Sequence, residues 1–108
     1  MEFQKIREEI KCVNLDCLRC DCDNLFEAVV VKEKLNDVVG RLQNLFGMPV
    51  WPSNEHLPLV VERMIQGYGG IMPGQTLYFS RKSDFPIFAM LWPWQDGEHT
   101  TVKIAQVV

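Results

Sequence analysis

Residues Leu18 to Val31 read Leu-Arg-Cys-Asp-Cys-Asp-Asn-Leu-Phe-Glu-Ala-Val-Val-Val, and within them the spacing of apolar side chains changes from helical to alternating. Leu18, Cys20 and Cys22 alternate with Arg19, Asp21 and Asp23. That pattern predicts a strand with its apolar atoms on one face, turned inward, and its charges on the other. Asp23 and Asn24 tolerate positive φ and predict a tight turn, and the β-branched run Leu25 to Val31 predicts the returning strand of a hairpin.

On the N-terminal side, Phe3, Ile6, Ile10 and Val13 recur at three- and four-residue spacing between charges. This predicts a short amphipathic helix from Glu2 to Val13, closed by a left-handed Asn14. On the C-terminal side, Leu35, Val38, Val39, Leu42, Leu45 and Phe46 define the strongest helical stripe in the chain, ended by Gly47 and Pro49. A third helix is expected over about 55 to 66, capped by Ser53 or Asn54, with Pro58 in its first turn. Leu57, Val60, Val61, Met64 and Ile65 form its buried face, and Gly67 stops it. Trp51, in the short apolar linker between these helices, is expected to plug a gap between elements.

The glycine-rich loop 67–74 leads into a strand from Thr76 to Arg81. Lys82 to Asp84 then turn the chain into Phe85 to Trp92, which is apolar on both parities and reads as a central strand. Gln95 to Glu98 form a hairpin signal. Thr100 to Val107 return, with Val102 and Ile104 on one face and Thr101 and Lys103 on the other. The sum is a single α+β domain over residues 1–108: a five-stranded antiparallel sheet made of a hairpin and a three-stranded meander, with two helices on one face and a short N-terminal helix. The short connection between the two longer helices predicts that both cover the same face and bury Leu42 at their contact.

A chain of 108 residues with 47% hydrophobic and 23% charged residues can bury a core without staples and falls outside the disordered classes. The formal charge of −3, without a basic run, argues against nucleic acid as a partner. No apolar stretch reaches the roughly 18 residues that span a bilayer, and the charge-rich stretch Met1 to Ile10 does not fit a signal peptide. A cytoplasmic protein with reduced cysteines is therefore expected.

Cys12, Cys17, Cys20 and Cys22 supply four thiols in the pattern Cys-x4-Cys-x2-Cys-x-Cys, the number that a closed zinc site or an iron–sulfur cluster requires. Geometry opposes that reading. Sulfurs around tetrahedral zinc stand roughly 3.8 Å apart, whereas Cys20 and Cys22 on an extended strand have Cα atoms about 6.5 Å apart. Separately packed or partly exposed thiols fit the strand pattern better. Cys17 to Cys20 is formally a Cys-x-x-Cys, but it enters a strand rather than opening a helix, unlike a thioredoxin-type motif.

His56 and His99 sit at an expected helix start and beside an expected turn, so neither marks a catalytic residue. The glycine loop follows a helix and feeds a strand, the reverse of a phosphate-binding loop. Phe88, Met90, Trp92 and Trp94 share one parity of the central strand and form a candidate interaction surface, because one of the two apolar faces of that strand needs a cover beyond the two longer helices. The leading functional expectation is a non-enzymatic binding or assembly module that offers this surface to another copy, a protein partner or a small ligand. The alternative is a metal or thiol-redox protein built on the cysteine cluster.

Overall fold

The computed structural model describes residues 3–52, 57–80 and 85–107. The elements run α1 (Phe3–Lys11), β1 (Cys17–Asp21), β2 (Leu25–Val31), α2 (Lys32–Phe46), α3 (Leu59–Gln66), β3 (Thr76–Ser80), β4 (Ile87–Pro93) and β5 (His99–Gln106). The strands form one antiparallel sheet in the order β1-β2-β5-β4-β3. The expected hairpin and meander are both present. They join because β2 pairs with β5 from Leu25–Ala105 to Val31–His99, which makes β5 the central strand. The expected cap at Ser53 or Asn54, the Lys82 to Asp84 turn and His56 lie outside the described residues.

α1 and α2 share one face of the sheet. Phe3, Ile6 and Ile10 of α1 and Val38 and Leu42 of α2 pack with Phe26, Ala28, Val30, Tyr78, Ile87, Ala89, Leu91, Val102 and Ile104. Arg41 fastens the two helices, its guanidinium donating to the Glu9 carboxylate at 2.8 Å and to the Glu9 carbonyl at 3.3 Å. The opposite face is covered by α3: Val61 and Ile65, with Leu57 before the helix, pack against Leu77, Phe88, Met90 and Ala105. The two helices on one face are therefore α1 and α2, not α2 and α3, and Leu42 is fully buried beside α1.

The path of the linker explains this correction. Val50 N–H and Trp51 N–H both donate to the Leu77 carbonyl, and Leu77 N–H donates back to Trp51. The chain leaving α2 thus runs along the outer edge of β3, covers that edge, and arrives on the opposite face. Trp51 does fill a gap, joining the core beneath α3. A short linker limits distance; it does not fix which face the next helix takes.

Four local expectations are also corrected. No described residue other than glycine has positive φ, so Asn14 does not close α1 in the left-handed region. The two-residue loop Asp23–Asn24, closed by Cys22 N–H donating to the Leu25 carbonyl at 2.8 Å, likewise turns without it. Pro58 stands at the N-cap of α3 rather than inside it, and Val60 faces outward at 46% exposure. Among the described residues no helix is long and apolar enough to cross a membrane.

Candidate functional site

The sheet face beneath α3 changes character toward β1. On β4 and β5, Phe88 and Met90 pair with Ala105 and Lys103 and are fully buried by their own chain, with the Tyr68 ring edge-on to Phe88 at 5.0 Å. These two expected surface residues therefore belong to the core. The amphipathic stripe Leu57, Val61, Ile65 supplies the cover that the apolar parity of β4 required.

Trp92 is half-buried. Lys103 Nζ sits 4.1 Å from its ring centroid, and the six-membered ring passes so close to Gly69 that a Cβ there would lie 2.8 Å from Cη2. Gly69 also has φ of 107°, which disfavours any side chain. The glycine loop thus serves backbone approach to Trp92, along with a helix stop in which Gly70 N–H donates to the Ile65 carbonyl.

Trp94 is 37% exposed. Its indole N–H donates to Thr101 Oγ1 at 2.9 Å, the His99 ring lies against it at 4.8 Å, and the Arg19 guanidinium of β1 stands over it at 5.4 Å. The ring is therefore laid across β5 toward β1 and locked on three sides. His99 is in turn held by the Asp96 carboxylate at Nδ1, 2.6 Å away, and the same carboxylate accepts the backbone N–H groups of Glu98 and His99.

A charged row joins the two tryptophans. Arg19 pairs with Glu27 at 3.8 Å, Glu27 with Lys103 at 3.4 Å, and Lys103 donates to the Tyr68 carbonyl at 3.0 Å. The order Trp94, Arg19, Glu27, Lys103, Trp92 thus runs from the residue after β4 through β1, β2 and β5 and back to β4, with each cation between an aromatic ring and a carboxylate. Arg19, Glu27 and Lys103 escaped the sequence reading. The signals in the sequence were the placement of Arg19 on the parity opposite Leu18 and Cys20, and of Lys103 opposite Val102 and Ile104.

The cysteines lie along the rim. β1 is an edge strand with a bulge between Leu18 and Cys20, and its side chains are exposed except for half-buried Cys20. The expectation that Cys20 and Cys22 turn inward on the strand is corrected accordingly: Cys20 is half-buried, and Cys22 is exposed beyond the end of β1, as Cys12 and Cys17 are exposed elsewhere. The bulge between Leu18 and Cys20 breaks the two-residue alternation, so the side chains of this edge strand do not share one buried face. Cys12 Sγ donates to the Glu8 carbonyl on α1, and Cys17 begins β1 opposite Val29. Among the described residues no three His, Cys, Asp or Glu side chains gather to hold a metal ion. Cys20 and Cys22 do meet, their sulfurs 3.0 Å apart. Hydrogen bonding to Cys22, followed by burial and the nearby charges of Cys22 and Glu27, raises the Cys20 pKa above the ordinary thiol value.

A polar cleft of about 390 Å³ between α1 and α2 is lined by Glu9, Asn36, Asp37, Gly40, Arg41 and Asn44. Its cation is already engaged, since Arg41 binds both Asp37 and Glu9 at 2.8 Å. No protein-family model, curated protein or solved structure matches the chain.

Proposed function

We propose that this chain is a small non-enzymatic binding module that pairs with a second copy of itself through the Trp94 side of its sheet. The observation that carries the reading is Trp94: a large ring, more than a third exposed, fixed by a hydrogen bond, a tilted histidine ring against it and an arginine. An aromatic anchor held rigid before association loses little side-chain entropy on binding, and tryptophan and arginine are the residues that dominate interface energetics.

A second copy suits this strip because the strip carries both signs of charge, with Arg19 and Lys103 flanking Glu27. An isologous two-fold contact needs such self-complementarity. The reading places the protein in the cytoplasm, where four free thiols persist.

An NMR concentration series tests it. Chemical shifts of the Trp94 indole N–H and the Arg19 and Lys103 amides should move together with concentration, while the amide of Leu42, buried on the other face, stays fixed. Spectra that do not change from micromolar to millimolar protein would overturn self-association.

A further inference from the structure

We propose that Cys20 and Cys22 form a redox-active dithiol that reduces low-molecular-weight disulfides and closes to an intrachain disulfide as it does so. Their sulfurs lie 3.0 Å apart at the end of the exposed edge strand. A disulfide needs Cα atoms about 4.4 to 6.8 Å apart, and residues two apart on an extended chain, at about 6.5 Å, fall within that range. The 3.0 Å between the sulfurs is shorter than the roughly 3.8 Å that tetrahedral zinc sets between its thiolates, which corrects the expectation that the strand holds the two thiols apart. Two ligands suffice for a disulfide, and no third His, Cys, Asp or Glu among the described residues joins them to complete a metal site.

The environments of the two thiols divide the roles. Cys22 is exposed and lies beyond the last residue of β1, so it is the thiol a small disulfide can reach. Cys20 is half-buried, with its sulfur against that of Cys22 and its pKa above the ordinary thiol value, which suits the second nucleophile. In the first step the Cys22 thiolate attacks one sulfur of a disulfide RSSR, forming a mixed disulfide and releasing RS⁻. Cys20 then loses its proton and attacks Cys22 Sγ, releasing the second RS⁻. The two protons given up by the cysteines neutralise the two leaving thiolates. The protein dithiol is oxidised by two electrons, and one RSSR becomes two RSH.

The test is to treat the reduced, full-length protein with glutathione disulfide and follow it by intact mass, peptide mapping and thiol counting. Expected is a fall from 4 free thiols to two, with loss of two hydrogens and a bond mapped to Cys20 and Cys22. Cys20→Ser should accumulate glutathione on Cys22, and Cys22→Ser should lose reactivity toward glutathione disulfide by about tenfold or more. Circular dichroism of both variants checks that the fold is retained. Four surviving thiols in the wild type, or glutathione adducts forming on Cys12 and Cys17 as fast as on Cys22, would overturn the proposal.

Discussion

Lys103 Nζ lies 4.1 Å from the centroid of the Trp92 ring, and the same ammonium reaches the Tyr68 carbonyl and the Glu27 carboxylate. The side chain is only 12% exposed. One cation on the central strand therefore ties the loop after α3, the ring of Trp92 and the hairpin strand β2 together. Lys103→Met keeps most of the length and removes the charge, leaving a carbonyl without its donor and Glu27 with the longer Arg19 contact alone. A loss of about 1 to 3 kcal/mol is expected in urea unfolding, because cation–π contacts and charged hydrogen bonds are each of that order when partly desolvated. A loss below about 0.5 kcal/mol, the range of ordinary surface substitutions, would show that the row is not a stabilising network.

Leu42 is fully buried between α1, α2 and the sheet. Leu42→Ala should cost roughly 2 to 5 kcal/mol, since the packed helices cannot collapse into the space left behind. The accompanying marker is loosening of α1. Hydrogen exchange at Ile6 and Ile10 should accelerate in the variant, whereas that at Val61 and Ile65 of α3, across the sheet, should not follow beyond the global change in stability.

The hairpin between β4 and β5 carries a pH dependence of determined sign. Hydrogen bonding to Asp96, opposed in part by burial, raises the His99 pKa above 6.5. Its contribution to stability is full below 6.5 and is lost as pH rises through the higher folded-state value. Backbone hydrogen bonding from Glu98, together with the His99 ring, lowers the Asp96 pKa below 3.8. That contribution is full above 3.8 and is lost as pH falls through the lower folded-state value. The stabilising pair is therefore complete between these two ordinary values. The thermal stability of wild type relative to Asp96→Asn should be greatest between pH 3.8 and 6.5 and should shrink on either side. A difference that stays flat from pH 5 to 9 would contradict the assignment of the His99 contact.

The order of elements was legible because breakers and periodicity mark it: Gly47, Pro58, Gly67 and Gly97 punctuate stripes of clear helical or alternating spacing. The placement of helices on faces was not. Both parities of β4 are apolar, so Ile87, Ala89 and Leu91 could as well have faced α3 as Phe88 and Met90 do. The outcome depends on a linker that follows the edge of β3 through hydrogen bonds to Leu77. In the candidate site, Trp92 and Trp94 stand out by residue type alone. Their charged partners do not, because Arg19, Glu27 and Lys103 become neighbours only once β2 is known to pair with β5. The cysteine alternation misdirected the reading for a related reason, since an isolated strand carries no mark of being an edge.

Pairing of two copies through the Trp94 side of the sheet is measured by sedimentation of wild type and Trp94→Lys over a concentration series, with circular dichroism as a check on folding. Trp94 rather than Trp92 is the informative position, because its ring lies at the surface while Trp92 is wedged against Gly69. The wild type should show a concentration-dependent monomer–dimer equilibrium, and the folded variant should dissociate about 30-fold more readily, the equivalent of removing an aromatic anchor of about 2 kcal/mol. A wild type that remains monomeric at millimolar concentration, or a folded Trp94→Lys variant that dimerises as the wild type does, would show that the Trp94 side of the sheet does not pair.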